Sequence, residues 1–500
     1  MKIDKIALAD FDWIVIVVYG LGMLIVGFYF SRINKSSEDY MLGGRRMKSW
    51  RVGLSLFATL FSAVTYLSLP GEMIKHGPMI WCLLAAIPLV YLIVSWLFIP
   101  FIMKLKISSA YELLEMRLGN RNRVLASAYF LVMRFVWMSV IIYMCAEKVV
   151  VPIMGWSEHT ALWVSVAMGV VTVIYTSTGG LRGVVLTDVV QTFILFVGSI
   201  LAIILIINQL GGASEIIPSQ FPAHWDRWVF FDTKARVSFL TAALSAFGWH
   251  ICTAGSDQMA IQRYLATQDI AAARKMYFSS LLVNVFVHVL LAILGLALLA
   301  FYQKNAAYLP GNSTIIKSAD LLFPRFILKL PDGFAGLVLA GLLAAAMSSL
   351  SSGINSSCLV IIKDFILRFR KNPLAETEQV KLAKLISVGI GMIIVFLSLI
   401  IGNVKGNLLE LTYKTINLLV GPLFVPFFMA MFVRKATPGG TFAGTLFSSI
   451  IAALISFSSE LFSINISFLW IIPGSFLAGV TLSWILSFLS GCIPAKNGEQ

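Results

Sequence analysis

The sequence predicts an all-α polytopic membrane protein with about 13 transmembrane helices. The 500 residues have a mean hydropathy of +0.88, and only 12% of them are charged. A soluble chain of this length would need far more polar surface. Apolar stretches of about 20 residues, each long enough to cross a bilayer, recur along the whole chain. The connections between them are short, which argues against an enzyme or a sensor with a soluble catalytic domain.

Thirteen predicted spans follow from the hydropathy pattern, and an odd count puts the two termini on opposite sides of the membrane. One alternate set of loops, with the C-terminal tail, carries about 24 Lys and Arg residues, whereas the N-terminus and the other loops carry about 12. The positive-inside rule therefore predicts an N-terminus outside and a C-terminus in the cytoplasm. The basic loops are 32–51, 104–123, 179–182, 263–275, 363–384 and 434–435. The spans, numbered one to thirteen, are 11–31, 51–74, 78–103, 122–150, 160–178, 183–209, 237–262, 273–303, 333–363, 379–402, 406–433, 438–458 and 466–490.

The formal net charge of +14 is explained by these loops, so we expect contact with the lipid bilayer and no nucleic acid partner. The cysteines form no CxxC pair and are expected to be small packing residues within the membrane. The opening MKIDKIALADFD has mixed charge and lacks the basic start of a signal peptide. Span one is therefore predicted to remain in the mature protein.

Span nine contains an unusual row of hydroxyl groups. Residues 344–357 read AAAMSSLSSGINSS, and helical spacing puts Ser348, Ser351 and Ser352 on one face, with Ser349 beside them. One interpretation is close helix packing, since Ala, Gly and Ser let helices approach each other. The rival interpretation is a site for a hard monovalent cation, which needs five or six oxygen ligands at short range.

Free backbone carbonyls could complete such a site, but only where a helix is unwound. Span two contains FATLFSAVTYLSLPGEM (57–73), and we expect its interruption at Pro70-Gly71 because proline cannot donate a backbone hydrogen bond. Span seven has a comparable interruption in SAFGWHICTAGSDQ (245–258), which contains two glycines and several polar groups. Two interrupted helices five spans apart indicate an inverted-repeat transporter with its site at mid-membrane.

A carboxylate in span six is the next candidate. Asp188 lies in GGLRGVVLTDVVQ (179–191), about two helical turns after the Gly-Gly pair. Carboxylates inside the membrane are costly and rare, so they are usually functional. Asp188 is interpreted as an ion ligand near the serine-lined helix. The alternative is a structural pair with a neighbouring helix or a loop cation.

These segments make the chain resemble the sodium/solute symporter family, which includes bacterial sialic-acid, proline and sugar carriers and the sodium/glucose cotransporters. The resemblance covers nearly the whole chain. It is carried, in order, by SSEDYMLGGRRM (36–47), LSLFATLFSAVTYLSLPGEM (54–73), SSAYELLEMRLG (108–119), GGLRGVVLTDVVQ (179–191), DQMAIQRYLAT (257–267) and AAAMSSLSS (344–352).

The resemblance implies a leucine-transporter-like 5+5 inverted repeat with discontinuous helices, within a single transporter domain of residues 1–500. Residues 11–31 would form a leading helix and residues 51–209 the first five-helix repeat. Residues 237–433 would form the second, inverted repeat, and residues 438–490 two C-terminal helices.

The resemblance also implies Na+ as a bound ion and no organic cofactor. The family's common sodium site would take the backbone carbonyls of Ala58, Phe61 and Ala345. The hydroxyls of Ser348 and Ser349 would complete it.

A second sodium site occurs in some members, notably the sialic-acid carriers. In this chain it would comprise Asp188, Ser348, Ser351 and Ser352, and all four side chains have suitable oxygens. We therefore expect two sodium ions.

The predicted solute pocket departs from the family's pattern. The Arg with which sialic-acid carriers grip a carboxylate corresponds to Trp137 here, while Arg134 lies one turn earlier. A polar residue of the broken helix is replaced by Leu60, and a Gln of the third span (Glu in sugar carriers) by Leu84. The pocket is therefore expected to be more apolar. Its predicted residues are Ser62, Thr65, Trp81, Leu84, Arg134, Trp137, Trp249 and His250.

Several of these residues have structural alternatives. Arg134 could bind a carboxylate solute with its two-pronged guanidinium, or it could be a buried arginine bonded to helix-end carbonyls. His250 is interpreted as a hydrogen-bonded pocket residue in preference to a proton relay. Trp249 could be a gate over the solute or a packing residue.

The predicted function is a sodium-coupled symporter that imports a small organic solute by alternating access, acting as a monomer in a bacterial inner membrane. The solute could be a sugar, sialic acid or a small carboxylate, and the alternatives include an amino acid or a vitamin. An integral-membrane enzyme would need clustered His, Asp or Glu at a membrane face, and the five histidines form no pair at metal-ligand spacing. A channel would need repeated filter segments, and the sequence contains no such repeat.

Overall fold

The computed structural model describes residues 8–34, 36–105, 107–157, 159–232, 235–309, 314–372, 374–400, 414, 417–464 and 466–491. Every regular element within these ranges is a helix. The principal helices are α1 (Asp10–Ile33), α2 (Ser49–Leu60), α3 (Ala63–His76), α4 (Glu112–Cys145), α5 (Thr160–Leu210), α6 (Phe239–Ser256), α7 (Gln258–Leu265), α8 (Ile270–Lys304), α9 (Ile315–Ile327), α10 (Phe334–Val360), α11 (Glu376–Ile400), α12 (Val420–Phe432), α13 (Pro438–Ser456) and α14 (Ile471–Gly491). Shorter helical pieces between Gly77 and Lys104 form span three.

Nine helical runs in the described part of the chain are long and apolar enough to cross a membrane. The predicted spans map onto these runs and onto shorter helices. Helix α5 contains spans five and six, and it changes direction at Gly180, whose φ of 56° and ψ of −162° are not helical. Helix α12 covers the second half of span eleven, and residues 401–413 lie outside the described residues. The all-helical membrane fold is confirmed, and the exact count of thirteen stays a prediction.

Span two is broken in the middle, but the predicted position of the break is wrong. Helix α2 ends at Leu60, Phe61 and Ser62 are extended, and α3 begins at Ala63. Ser62 stabilises this start, because its hydroxyl accepts a hydrogen bond from the amide of Thr65. Pro70 lies inside α3, where the helix continues through it. The capping serine, and not the proline, therefore marks the interruption.

Span seven is broken at a single residue. Asp257 has extended backbone angles (φ −81°, ψ 121°) between α6 and α7. Its carboxylate accepts a hydrogen bond of 2.9 Å from the amide of Met259 and so caps α7. The predicted interruption in residues 245–258 is confirmed, near the end of that segment.

The serine-rich helix α10 is the centre of the bundle. In its most apolar window 83% of the residues are buried, compared with 17% for α1 at the periphery. Helix α10 packs against α1, α4, α5 and α11, and also against both halves of span two. The row of serines is therefore enclosed by protein on every side and faces the break of span two.

Candidate functional site

The serines of α10 lie directly against the unwound segment of span two. The hydroxyl oxygen of Ser348 is 3.0 Å from the carbonyl oxygen of Ala58 and 3.1 Å from that of Ala345. The hydroxyl of Ser349 lies 3.2 Å from the carbonyl oxygen of Phe61. The structure therefore brings together all five residues that were predicted to form the first sodium site.

The two carbonyls of span two, those of Ala58 and Phe61, are available because of the break. The last helical hydrogen bond of α2 runs from the amide of Phe61 to the carbonyl of Phe57, so the carbonyls that follow Phe57 need other partners. Ala58, Phe61 and Ser348 are each at most 5% exposed. Three carbonyls and two hydroxyls thus form a neutral, water-excluded group of five oxygens, which is the ligand chemistry that a hard monovalent cation requires. We name this group the oxygen cage.

Asp188 is buried beside the oxygen cage, but it has a partner that the sequence analysis missed. One carboxylate oxygen accepts a hydrogen bond of 2.6 Å from Ser55, and the hydroxyl of Ser352 lies 3.4 Å from it. The guanidinium of Arg263 lies 3.7 Å away and donates to Ser352 at 2.5 Å. Both charged side chains are completely buried. Asp188 was interpreted as an ion ligand, with a structural pair to a neighbouring helix as the alternative. Its pair with Arg263 agrees in part with that alternative.

The predicted second sodium site is thus only partly assembled. Asp188 and Ser352 are in contact, whereas Ser351 donates to the backbone carbonyl of Ser348 at 3.0 Å. The other carboxylate oxygen of Asp188 has no hydrogen-bond partner among the described residues. Arg263 had been assigned to the basic loop 263–275, whereas α7 (Gln258–Leu265) places it inside the bundle, where an arginine requires a buried acidic or polar partner.

A cavity of about 180 Å³ begins next to the oxygen cage and extends between span two, α4, α6 and α8. Its wall includes six of the eight predicted pocket residues, and also Leu60. Trp81 does not line the cavity, and its indole donates a hydrogen bond of 2.8 Å to the backbone carbonyl of His288, a residue that does. Leu84 is not part of the wall, and its neighbour Leu83 is. The six that line the cavity are Ser62, Thr65, Arg134, Trp137, Trp249 and His250.

Arg134 is a buried arginine, as one of the two alternatives had it, but its partner is a carboxylate and not the helix-end carbonyls. Its guanidinium pairs with Asp257, the residue at the break of span seven, and lies over the ring of Trp137 at 4.7 Å. Arg134 is 5% exposed, and its Nε has no hydrogen-bond partner among the described residues. A buried cation inside a bundle needs such a partner because desolvation is costly. The guanidinium therefore borders the cavity with its charge already compensated.

Helix α8 presents polar side chains to the cavity, and these were not predicted from the sequence. Asn284 and His288 lie one turn apart, and Nδ1 of His288 is 2.8 Å from the backbone carbonyl oxygen of Asn284. On the opposite wall the ring of His250 meets that of Trp249 at 4.9 Å, nearly perpendicular. An Asn and a His at helical spacing within an apolar span were a readable signal for a polar site.

A helix broken beside a buried row of hydroxyls, with a cavity at the break, defines the class of secondary transporters built from discontinuous helices. The chain belongs to the sodium:solute symporter family, whose family model matches residues 40–448. The predicted family is thereby confirmed, and the protein is a multi-pass membrane protein of a sodium-coupled symporter family.

Individual relatives agree with this assignment. The chain is 31% identical over 477 residues to the sodium/sialic acid symporter SiaT of Proteus mirabilis, which covers 91% of this chain and 92% of that protein. It is 28% identical over 467 residues to the sodium-coupled monocarboxylate transporter 1 of Xenopus laevis, covering 90% of this chain and 72% of that protein. The solved substrate-bound, outward-open state of a Na+-coupled sialic acid symporter superposes with a TM-score of 0.83 at 28% identity, over 96% of this chain and 98% of that one. By name, all three of these relatives are transporters.

Proposed function

We propose that this protein carries a small organic carboxylate inward together with Na+ by alternating access. The observation that carries the proposal is the oxygen cage between the break of span two and α10, with a solute cavity directly beside it. An ion in the cage would draw the two elements together and complete the cavity wall at Phe61 and Ser62. Ion and solute would then favour the same conformation, which is what coupling requires.

The driving force is sufficient. One charge that moves through 100 mV is worth about 2.3 kcal/mol, before the concentration gradient of sodium is added. The five oxygens of the cage are neutral, so the bound ion would keep its full positive charge beside the cavity. We propose Ala58, Phe61, Ala345, Ser348 and Ser349 as its ligands.

A second sodium ion at Asp188, Ser348, Ser351 and Ser352 is also proposed, with one condition. Arg263 donates to Ser352 and balances the charge of Asp188, so an ion here must compete with a guanidinium. Two cations within a few ångströms repel each other strongly in a buried site. Binding of the second ion would therefore require Arg263 to move away from Ser352, while the unpaired carboxylate oxygen of Asp188 offers a ligand.

Charge balance favours a monoanion as the solute. Arg134 and Asp257 cancel each other at the cavity wall. When the oxygen cage alone is occupied, its sodium ion would leave a net positive charge, and a solute with one carboxylate would neutralise it. The relatives named above carry sialic acid and monocarboxylates, both of which are carboxylates at neutral pH. Four leucines give the wall an apolar part that suits a short apolar body, and the polar side chains of Asn284 and His288 line it as well.

Release to the cytoplasm would require the inner end of α10 to move. Asp364, just beyond α10, accepts hydrogen bonds from Arg123 at 2.7 Å and from Ser109 at 2.5 Å. Arg123 also pairs with Glu115, which in turn pairs with Arg368. This cluster ties α10 to α4 and supports a state closed on that side.

We further propose the orientation and assembly that the loop charges predict. The N-terminus would lie outside and the C-terminus in the cytoplasm of a bacterial inner membrane, with a monomer as the working unit. Residues 51–209 and 237–433 would form the two inverted repeats, with 11–31 before them and 438–490 after them. Fusion of a periplasmic reporter to each terminus checks the orientation, since only the N-terminal fusion should be active.

Solute uptake into proteoliposomes tests the proposed function. Labelled pyruvate, acetate, sialic acid, glucose and proline would be offered with an inward sodium gradient, with an equal potassium gradient, and with neither. We expect sodium-dependent uptake only of the monoanions pyruvate, acetate or sialic acid. Uptake that is the same in sodium and potassium would refute sodium coupling. Sodium-driven uptake of glucose or proline alone would refute a monoanionic solute.

A further inference from the structure

A second groove, lined by residues other than those of the solute cavity, lies where α2 and α8 begin. Its volume is about 640 Å³, and its wall combines cations with aromatic rings. The residues that matter here are Arg46, Lys48, Trp50, Tyr91, Lys275 and Phe278. Arg46, Lys48 and Lys275 come from the two loops 32–51 and 263–275, which the positive-inside rule assigns to the cytoplasm.

The groove has an uncompensated positive charge. Arg46, Lys48 and Lys275 are exposed, and none of them has an ion-pair partner in the described part of the chain. None of the described residues that line the groove carries a carboxylate. The nearby Asp269 caps α8 instead, with its carboxylate accepting from the amide of Ala272 at 2.7 Å. Three exposed cations around one space are therefore available to bind an anion.

The aromatic residues show where the groove lies relative to the membrane. The side chains of Trp50, Phe278 and Trp96 are 46%, 51% and 52% exposed on the outer surface of the bundle. Arg274 lies 4.9 Å above the ring of Trp96, which joins the basic zone to the aromatic one. Tryptophan and cationic side chains next to the ends of spans are typical of the membrane–water interface.

We infer that this groove binds the headgroup of an anionic phospholipid from the cytoplasmic leaflet. The cations would contact the lipid phosphate, and the aromatic wall would pack against the first part of the acyl chains. A free phosphate ion would use the cations alone and leave the apolar half of the groove unused. The amphipathic wall therefore favours a lipid.

The position of the groove gives the lipid a mechanical role. Helices α2 and α8 pack very closely beside it, since a Cβ at Gly53 would lie 2.7 Å from the backbone carbonyl oxygen of Met276. Helix α2 ends in the carbonyls of the oxygen cage. A lipid that bridges Lys48 on one side and Lys275 on the other would brace the half-helix that carries those carbonyls. The binding itself needs neither sodium nor solute.

Native mass spectrometry and thermal unfolding of the purified protein test this inference. The protein would be given phosphatidylglycerol, phosphatidylcholine or inorganic phosphate at matched concentrations. The variant Arg46→Gln, Lys48→Gln, Lys275→Gln removes the three cations from exposed positions. Its control is Arg370→Gln, Lys371→Gln, Lys381→Gln, which removes the same charge from exposed positions on another cytoplasmic loop.

We expect phosphatidylglycerol to bind the wild-type protein and the control variant equally well. Its affinity for the groove variant should be lower by about tenfold or more. Lys48→Arg with Lys275→Arg keeps the charge and should keep the binding. Equal binding of phosphatidylglycerol to the wild-type protein and the groove variant would overturn the inference. A stabilisation by inorganic phosphate as large as that by the lipid would also overturn it, because it would indicate a free-anion site. Since no transport is measured, the outcome is independent of the proposed function.

Discussion

The hydroxyl of Ser349 lies 3.2 Å from the carbonyl oxygen of Phe61, although 288 positions separate the two residues in the chain. Ser349 belongs to the most buried of the candidate membrane spans, and Phe61 belongs to the only extended segment of span two within the described residues. Each group satisfies the other in the absence of an ion. A sodium ion between them would replace this hydrogen bond with two coordinate bonds, so the pair is where ion binding and helix position are linked.

Replacement of Ser349 should weaken sodium binding. Ser349→Ala removes one of five proposed oxygens, and we expect the sodium concentration for half-maximal uptake to rise roughly tenfold, by analogy with the loss of a charge-assisted hydrogen bond. Sodium-dependent uptake or sodium-induced thermal stabilisation measures the change. Ser357→Ala is a matched control, because Ser357 is buried on the same helix and its hydroxyl has no hydrogen-bond partner among the described residues. An unchanged sodium dependence of Ser349→Ala would remove this residue from the site.

Asp188 and Arg263 should depend on each other for stability. Either Asp188→Asn or Arg263→Gln leaves one charge buried without compensation, and we expect each to destabilise the protein by about 3 kcal/mol or more. The double variant should recover much of this loss, which a thermal-unfolding double-mutant cycle measures. Additive losses would show that the two charges do not interact.

The same variants separate the two proposed sodium sites. Asp188→Asn should abolish the second ion and leave the first, so the sodium-to-solute stoichiometry from reversal potentials should fall by one. A stoichiometry equal to that of the wild-type protein would discount Asp188 as a ligand.

Arg134 can be tested for a role beyond its pair with Asp257. Arg134→Gln alone leaves Asp257 uncompensated, so a loss of solute binding could have a structural cause. The double variant Arg134→Gln, Asp257→Asn removes both charges, and we expect it to unfold at nearly the wild-type temperature. If Arg134 binds the solute carboxylate, the affinity of this stable double variant for the solute should be lower than the wild-type affinity by about tenfold or more. Wild-type affinity in the double variant would make Arg134 a structural residue only.

The loop before α6 should contribute stability that is lost in acid. Burial alone would raise the pKa of Asp226, but a hydrogen bond with His76 and the charge of Arg236 lower the pKa below its ordinary value of 3.8. A lowered carboxyl pKa in the folded state stabilises the protein above the ordinary pKa, and this contribution disappears as the pH falls through the folded-state value. The difference in unfolding temperature between the wild-type protein and Asp226→Asn should therefore shrink as the pH falls below about 3.8. A difference that grows in acid would contradict this assignment.

Local patterns in the sequence were sufficient for much of this protein. Hydropathy and loop charge predicted an all-helical membrane protein, and the serine spacing predicted which face of α10 meets a partner. These features repeat every few residues and depend on helix geometry alone. The interruption of span two was predicted but misplaced, because Pro70 is the stronger local signal although α3 continues through it.

The tertiary structure alone decided which distant residues meet. Nothing in the order of residues indicates that Arg263 lies against Asp188, or that Arg134 pairs with Asp257 across 123 positions. Such pairs are set by the packing of helices that are remote in sequence, and burial then makes each charge depend on its partner. The sequence thus determined which groups are available to an ion and a solute. The packing decided which of them converge at the break of span two and which are already occupied.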